Sequence, residues 1–460
     1  MKNKVTRYLA AGMSVLMAAG MLNAAVAMAE STEAGTEAAG AAEQLTGDPD
    51  IKADIVVGGW PSGDDAFKAA MDGFNALYPG INVELQFTDT TSHHQNLATS
   101  LAAGSGAPDV AMVEGAYVAQ YRNSTALADL NELGAADYKD DFVSFKWDQC
   151  VSDDGSKMVL IPWDIGPATH FYRTDIFEQA GLPTDPDEVD ELLSTWDGVV
   201  SAAEAIKDKT GAWFTPDASY YYQLLFQNRD YYDEDLNLKL ERDGDLDCLN
   251  AIIKMREEQL DMNVDMWSTE AYAAYADGTI ASVASGAWFG GFLKTDIDPK
   301  GAGHWAVCHL PGGVGTKNWG GSFLCIPSQS KNQEAAWDFI KYMLCTAEGQ
   351  NAMFQAVDYF PAYIPAYDDP LYEEEDPYFG GEKTKALWVE LAKDLTPVYT
   401  TQMDVTAEGQ IFTSVNQGLQ EGLDAEGIRD LLAKNIDDAT KELKEQQIQT
   451  LKDAGVWNGD

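Results

Sequence analysis

The chain has 460 residues and carries 75 acidic side chains against 30 Lys and Arg, a formal net charge of −45. Nucleic acids and anionic lipid surfaces would repel so acidic a protein, which excludes both classes of partner. The composition, 45% hydrophobic and 23% charged, is that of a globular protein. Its length exceeds what one hydrophobic core usually holds, so we expect two domains.

The N-terminus has the residue order of a secretory signal. Three basic residues precede an apolar stretch over 8–28, and this stretch runs into Ala27-Met28-Ala29. The pattern predicts a signal peptide over residues 1–29 and an exported protein. A membrane anchor is the alternative, because the apolar stretch is nearly long enough to span a bilayer. The small residues and the A-x-A ending favour cleavage after Ala29.

Residues 30–52 read as a flexible tether. This segment is a low-complexity run of Ala, Gly, Glu and Thr with few side chains that a core could bury.

The pattern changes at Ala53, where a strand, "ADIVVGGW", begins. A helix follows, with Phe67, Met71, Phe74 and Tyr78 on one face, and then "INVELQF" alternates apolar and polar residues as a half-buried strand does. A second helix to Gly104 leads to a third strand, "DVAMV". Strand, helix, strand, helix, strand predicts an α/β fold with a parallel, doubly wound sheet.

This fold predicts where a ligand binds. In open α/β sheets, ligands lie beyond the carboxyl ends of the strands. Trp60 follows the first strand, Thr88 to Thr90 follow the second, and Glu114 with Gly115 follows the third. An aromatic ring and a carboxylate are therefore expected on one rim.

Later segments suggest that the chain passes between two domains more than once. Two strands, "KMVLIPW" and "ATHFYR", flank a segment broken by Pro162, Gly166 and Pro167. Further on, the turn Trp319-Gly320-Gly321 precedes the apolar strand "SFLCIP". We expect three hinge crossings, near residues 163–167, 322–327 and 360–366.

Other motifs argue against several classes of site. "GGVGTKN" lacks the G-x-x-x-x-G-K spacing of a phosphate loop, and adjacent His93 and His94 would point about 100° apart on a helix. No G-x-S-x-G elbow is present. The sequence therefore predicts no catalytic residue, no cofactor and no metal site. The five cysteines are expected to be buried side chains, with a Cys308–Cys325 disulfide as the alternative.

Four tryptophans favour a ligand cleft. Trp60, Trp163, Trp288 and Trp319 each lie at a strand end or in a Gly- or Pro-broken turn. Indole rings stack on the apolar faces of sugar rings, and carboxylates such as Glu114 and Asp164 bind sugar hydroxyls.

Several segments, in order, resemble the extracellular solute-binding proteins of the family 1 type, which serve carbohydrate ABC importers. They are "GSGAPDVAMVEGAYVAQYRNSTALADLNEL", "GSKMVLIPWDIGPATHFYRTDIFEQAGLP", "STWDGVVSAAEAIK", "ASGAWFGG", "NWGGSFLCIPSQSKNQEAAWDFIKYM" and "YFPAY". The resemblance covers residues 53 to 365. It departs at the cleavage site, where Ala29-Glu30 offers no cysteine for the lipid that Gram-positive members usually carry. The protein is then either periplasmic or otherwise retained outside the cell.

The resemblance implies a two-lobed, periplasmic-binding-protein-like (type II) fold, each lobe a doubly wound sheet flanked by helices. Lobe 1 would comprise residues 53–165 plus 325–362, and lobe 2 residues 166–324 plus 363–460. The family's contact positions fall on Trp60, Glu114, Trp163, Asp164, the run Tyr220, Tyr221 and Tyr222, and on Trp288, Trp319, Gly320 and Gly321.

The resemblance also implies a function. The protein would be a monomer that binds a sugar or short oligosaccharide in its cleft and delivers it to the permease subunits of an ABC importer. Two alternatives stay open: a secreted glycoside-active enzyme, and a receptor for a peptide or a polyamine, for which the acidic excess would suit a cationic ligand.

Overall fold

The computed structural model describes residues 45–453, except positions 153–154, 228, 243, 397, 400 and 402. The predicted signal peptide lies outside the described residues, as does the tether up to residue 44. No helix in the described part of the chain is both long enough and apolar enough to span a bilayer.

The strands within the described residues belong to three sheets. In chain order they are β1 (Ala53–Gly59), β2 (Ile81–Phe87), β3 (Val110–Glu114), β4 (Ile161–Pro162), β5 (Asp164–Ile165), β6 (Ala168–Arg173), β7 (Ser282–Gly286), β8 (Trp305–Cys308), β9 (Ser322–Cys325) and β10 (Phe360–Pro361).

The α-helices are α1 (Pro61–Leu77), α2 (Thr90–Ala103), α3 (Val118–Tyr121), α4 (Ser144–Asp148), α5 (Thr174–Ala180), α6 (Pro186–Leu193), α7 (Trp196–Thr210), α8 (Ser219–Leu225), α9 (Asp245–Glu257), α10 (Thr269–Asp277), α11 (Phe289–Phe292), α12 (Gln333–Leu344), α13 (Ala347–Val357), α14 (Thr384–Asp394), α15 (Asp404–Glu421) and α16 (Ala425–Asp453). Short 3-10 turns cover Gly115–Tyr117, Leu130–Leu133, Ala135–Asp141, Pro311–Gly313, Ile364–Asp368, Pro370–Glu373 and Pro377–Phe379, and a π-helix covers Leu293–Ile297.

The first lobe is built on a five-stranded sheet in the order β2-β1-β3-β9-β4. β1 pairs in parallel with both β2 and β3, so the predicted strand–helix–strand–helix–strand unit is confirmed. β9 returns from the second lobe and pairs antiparallel with β3 and β4. The carboxyl ends of the parallel strands, with Trp60 and Glu114, therefore lie on the edge where β9 enters.

The second lobe contains a three-stranded sheet in the order β7-β6-β8, and both of its strand pairs are antiparallel. This lobe departs from the doubly wound pattern of the first because β7 and β8 both run back towards the hinge. Gly286 at the end of β7 lies beside Ala168, and after β8 the chain returns to bridge Asn318 with Pro167. Among the described residues of this lobe, parallel pairing is limited to isolated bridges, such as Trp213 with Ile280.

The lobes meet where three segments of the chain are hydrogen-bonded to one another. In the first crossing, residues 163–167, Gly166 accepts a bond of 2.8 Å from the amide of Trp319. The second crossing, residues 317–322, meets the predicted one at residue 322: its Lys317 carbonyl accepts from the amide of Ala168, and its Ser322 carbonyl accepts from the amide of Trp163. The third passes through β10, which pairs with β5. The two-lobed α/β fold is confirmed, whereas the exact lobe boundaries stay a prediction.

The five cysteines are buried and free, as the composition suggests. Cys308 lies in β8 of one sheet and Cys325 in β9 of another, so the alternative disulfide is wrong.

Candidate ligand-binding cleft

The rim of the first lobe is an aromatic stack that starts at Trp60. The chain leaves β1 at Gly59, and Trp60 precedes the proline that opens α1. Its indole is 7% exposed and stacks on His94, with ring centres 5.7 Å apart. His94 in turn stacks on Tyr117 at 3.7 Å. The indole nitrogen of Trp60 donates to the hydroxyl of Tyr359 at 3.4 Å.

His94 is a structural part of this rim. Its Nδ1 donates to the carbonyl of Thr90 at 2.8 Å, and its Nε2 accepts from the amide of Glu114 at 3.1 Å. Burial lowers the pKa of His94 to about 4, so the ring is neutral at physiological pH. His93 bonds the carbonyl of Met112. No group of His, Cys, Asp and Glu side chains among the described residues is arranged to hold a metal ion.

Glu114 lies at the end of β3, where its carboxylate accepts a bond of 3.0 Å from the amide of Ala116. Burial, and to a smaller extent the carboxylate of Glu408, raise the pKa of Glu114 to about 7, while the amide of Ala116 and the ammonium of Lys146 act in the opposite direction. Glu408 belongs to α15 of the second lobe and accepts from the amide of Gln227 at 2.6 Å. Burial also raises the pKa of Glu408. Carboxylates from both lobes are thus close enough to repel each other.

Asp164 holds the hinge together and is only 2% exposed. Its carboxylate accepts from the amide of Ser322 at 2.8 Å and also from the Ser322 hydroxyl. Burial raises the pKa of Asp164, and the nearby ammonium of Lys146 opposes that shift. Asp164 therefore binds one crossing to another, and its carboxylate is already occupied by protein donors.

Lys146 is a site residue that the sequence did not indicate. It is 1% exposed, and its ammonium donates to the carbonyl of Gly320 at 3.3 Å and lies 4.0 Å from the centre of the Phe323 ring. Burial lowers the pKa of Lys146 to about 8, while Asp164 and Glu114 favour its charged form. Its charge partly balances the buried carboxylates of Asp164 and Glu114.

Gly320 and Gly321 are required by the backbone of the second crossing. Their φ angles are +79° and +96°, in the left-handed region that favours glycine. A Cβ at Gly321 would overlap the carbonyl oxygen of Asp164, whereas one at Gly320 would have only distant neighbours. The carbonyl of Gly321 accepts from the amide of Gly115 at 2.9 Å, which ties this turn to the first rim.

The second lobe contributes what we call the aromatic wall, five half-buried rings in contact. Trp288 stacks on Trp267 with ring centres 5.6 Å apart and meets Trp319 edge to face at 5.9 Å. Tyr220 lies 6.3 Å from Trp319, and Phe412 lies 4.7 Å from Tyr220. The wall thus joins rings from five separate segments of the chain. Sequence reasoning found Trp288 and Trp319 and placed Tyr220 in a run of three candidate tyrosines, but it missed Trp267 and Phe412.

Three predicted contact residues are buried in the cores of the two lobes. Trp163 is fully buried in the first lobe, where it stacks on Phe67 with ring centres 4.9 Å apart. Tyr221 and Tyr222 are buried in the second core. Successive residues of a helix point about 100° apart, so α8 can present Tyr220 to the wall while it turns the next two rings inward. The structure therefore does not support a ligand contact for these three side chains, and that role stays a prediction.

The structure thus places Trp60 and Glu114 on one rim, Trp288 and Trp319 in the facing lobe, and Asp164, Gly320 and Gly321 in the hinge between them. Aromatic faces provide stacking surfaces for flat apolar groups, and ionised carboxylates accept strong hydrogen bonds from hydroxyls. The arrangement suits a ligand that has both an apolar face and a polar edge.

Comparison with known proteins agrees with this geometry. A family model described as bacterial extracellular solute-binding protein matches residues 60–350. The arabinooligosaccharide-binding protein of Halalkalibacterium halodurans is 24% identical over 370 residues, which cover 76% of this chain and 81% of that protein. The lactose-binding protein of Rhizobium radiobacter is 25% identical over 380 residues, 76% of this chain and 85% of that protein. Among solved structures, an ABC-transporter-associated binding protein from B. animalis subsp. lactis, in complex with β-1,6-galactobiose, has a TM-score of 0.67 and 25% identity over 89% of this chain and all of that chain.

Proposed function

Because this chain belongs to the family of bacterial extracellular solute-binding proteins, we propose that it binds a neutral sugar or short oligosaccharide between its lobes for an ABC importer. Relatives named for arabinooligosaccharide and lactose binding support a carbohydrate ligand. The ligand-binding residues would be Trp60, Glu114, Trp288, Trp319, Gly320 and Gly321, joined by Tyr220 and Trp267. Asp164 and Lys146 would support them from the hinge.

The observation that carries this proposal is the aromatic wall opposite buried carboxylates. Tryptophan faces stack on the C–H surface of a pyranose or furanose ring, and the ring's hydroxyls donate to Glu114 and Glu408. A wall of several rings favours two or more sugar units over a single monosaccharide.

The same carboxylates would also suit two alternative functions, a glycosidase and a receptor for a cationic ligand. Glycosidases also place two carboxylic acids on opposite sides of the sugar. A carboxyl group with a raised pKa, such as that of Glu114, suits the role of general acid. We propose that the protein is a receptor and not an enzyme, in line with its family. The acidic residues would also attract a polyamine or a cationic peptide, which is the third candidate.

We further propose that the protein is exported through the signal at residues 1–29, and that it works as a monomer that delivers its ligand to membrane permease subunits. The family supports export. Among the described residues, exposed large apolar side chains are confined to Ile364, Tyr399 and Val405, which favours a monomer in solution.

Titration calorimetry tests the ligand class. The protein would be titrated with arabinobiose, arabinotriose, lactose, β-1,6-galactobiose and spermidine, and the sugar samples would afterwards be analysed for products. We expect saturable heat with at least one sugar, no heat with spermidine, and no cleavage. Turnover of a sugar would make the protein an enzyme, and binding of spermidine alone would make it a polyamine receptor.

A further inference from the structure

A largely buried arginine lies next to the turn that leads to Tyr220 of the aromatic wall. The guanidinium of Arg256, in the last turn of α9, pairs with both Asp217 and Asp261. One of its terminal nitrogens donates to each carboxylate at 2.9 Å, and Nε donates to both oxygens of Asp261 at 3.1 Å. The other terminal nitrogen donates to the side-chain oxygen of Asn416 at 3.2 Å. We call Arg256, Asp217, Asp261 and Asn416 the arginine clamp.

The two acids of the arginine clamp fix the start of α8. The amide of Ser219 donates to the carboxylate of Asp217 at 2.8 Å, and the amide of Ala218 donates to that of Asp261 at 2.9 Å. The main-chain carbonyl of Asp217 then accepts from the amide of Tyr220 at 3.3 Å. Asp217 and Asp261 are 4% and 3% exposed. Carboxylates buried this deeply require a cationic partner, and the guanidinium of the clamp provides it.

The asparagine of the arginine clamp fixes the ring that packs on Tyr220. Asn416 lies on α15, one turn after Phe412, and its side-chain nitrogen donates to the Phe412 carbonyl at 3.2 Å. The ring of Phe412 lies 4.7 Å from that of Tyr220, which lies 6.3 Å from Trp319. A single guanidinium is therefore bonded to both of the segments that carry this pair of rings.

We propose that Arg256 is a positioning residue for the ligand of the cleft: it holds α8 against α15, so that Tyr220 and Phe412 form a fixed stacking surface beside Trp319. Arginine suits this role because its planar, forked guanidinium bonds several acceptors at set angles, whereas a lysine ammonium does not. A preorganised surface binds more tightly, because less ordering is needed when the ligand arrives. This inference rests on the proposed function, since it concerns a ligand that stacks on the aromatic wall.

A double-mutant cycle on ligand affinity tests whether Arg256 acts through Tyr220. Arg256→Lys keeps the charge but loses the forked geometry, and we expect it to weaken binding of the tightest-binding sugar about five- to ten-fold. In a Tyr220→Ala background, where the ring is already absent, the same substitution should change the affinity by less than about two-fold. Equal losses in both backgrounds, or wild-type affinity in a folded Arg256→Lys variant, would overturn the inference.

Asn416→Ala gives a second reading if Arg256→Lys fails to fold. This variant removes the link between the guanidinium and Phe412, and it leaves the pairing of Arg256 with the two acids intact. We expect weaker sugar binding here too, and again only while Tyr220 is present. Wild-type affinity in a folded Asn416→Ala variant would contradict the positioning role.

Arg173→Lys is the matched control for stability. Arg173 is also buried in the second lobe, where its guanidinium donates to both oxygens of Asp175 at 2.8 Å and to the carbonyl of Tyr275 at 2.9 Å. It ends β6 at the opposite end from Ala168 and the hinge, so the substitution should lower the thermal stability without changing the affinity. A loss of affinity as large as that of Arg256→Lys would indicate general loosening of the lobe and would overturn the inference.

A readout without ligand separates this inference from the proposed function. In protein that contains fluorotyrosine, the fluorine NMR resonance of Tyr220 can be assigned with Tyr220→Phe. We expect that resonance to shift or broaden in Arg256→Lys and to stay in place in Arg173→Lys. If the wild type binds no sugar but this shift is seen, the proposed function fails while the positioning of Tyr220 stands. An unchanged Tyr220 resonance in Arg256→Lys would overturn the inference.

Discussion

The indole nitrogen of Trp288 donates a hydrogen bond of 2.9 Å to the main-chain carbonyl of Trp319. Trp288 follows the end of β7, and Trp319 lies in the second crossing, so this bond connects the aromatic wall to the hinge. The wall and the hinge turn therefore hold each other in position, and a ligand that stacks on either ring would act on the segment that joins the lobes.

Truncation of Trp288 should impair binding more than folding. Trp288→Ala removes a half-buried stacking face, and we expect affinity for the cognate sugar to fall at least ten-fold, roughly 1.4 kcal/mol or more. Trp288→Phe keeps an aromatic ring but loses the hydrogen bond to Trp319. Its affinity should lie between those of the wild type and Trp288→Ala. Calorimetry gives the affinities, and thermal unfolding gives the stabilities. A large loss of stability with unchanged affinity would place Trp288 in the core.

Trp163 provides the matched contrast. It is fully buried against Phe67, so Trp163→Ala should destabilise the protein by about 3–5 kcal/mol. The folded fraction should bind sugar normally, because the ring does not reach the cleft. Chemical denaturation measures the stability, and calorimetry on the folded protein measures the affinity. A stable Trp163→Ala variant with weakened binding would restore the sequence-based assignment.

Alanine substitutions at the two glycines of the hinge turn, Gly320 and Gly321, should destabilise the protein to different extents. Gly321→Ala places a Cβ against the carbonyl of Asp164 and the ammonium of Lys146, whereas Gly320→Ala meets only backbone strain. We expect about 1 kcal/mol of destabilisation for Gly320→Ala. Gly321→Ala should cost at least about 2 kcal/mol more, since it adds a steric overlap within a packed hinge. Denaturant unfolding measures both, and equal costs would contradict the packing described for Gly321.

Asp164 and Lys146 should be energetically coupled. Asp164→Asn and Lys146→Met each leave a buried charge without its electrostatic partner, so each should destabilise by about 2–4 kcal/mol. The double variant should lose less than the sum of the two, with a coupling energy of about 1 kcal/mol or more. A double-mutant cycle on unfolding free energies measures this term. Strict additivity would mean that the two charges do not interact.

Glu114 should make stability depend on pH. Its pKa is about 7 in the folded protein and about 4.5 without the fold, so the folded state binds more protons between these values. The free energy of unfolding should then fall as pH rises from about 4.5 to 7. Glu114→Gln removes this contribution, while its side-chain oxygen still accepts from Ala116. The variant should be more stable than the wild type at pH 8, by about 1–3 kcal/mol, and similar at pH 4.5.

Thermal unfolding of the ligand-free protein across this range checks that expectation. Glu132→Gln, at an exposed position of the first lobe, is the matched control and should follow the wild type at every pH. Identical pH profiles for Glu114→Gln and the wild type would show that the Glu114 carboxylate is solvated.

The local sequence predicts those parts of the cleft that depend on strand ends. Periodicity identified β1, α1, β2, α2 and β3, and parallel strands must bring Trp60 and Glu114 to one rim. Periodicity did not predict the antiparallel sheet of the second lobe. The strands of that sheet pair across long stretches of intervening chain, and local patterns do not show which strands meet.

Residues that reach the cleft from distant segments left no local signal. Lys146 lies on the short helix α4, Trp267 in the loop before α10, and Glu408 on α15, and only tertiary packing brings them together. Tyr220 could not be separated from Tyr221 and Tyr222 without the orientation of α8. Trp163 was predicted to line the cleft because it lies in a turn broken by Gly and Pro, whereas its ring packs on Phe67 in the core of the first lobe.

A crystal structure of the protein with the tightest-binding sugar of the calorimetric panel would test the central claim most directly. We predict electron density for the sugar between the two lobes, with a ring stacked on Trp288 or Trp319 and a hydroxyl within hydrogen-bond distance of Glu114. Sugar bound elsewhere on the molecule, with the cleft filled only by solvent, would contradict the account.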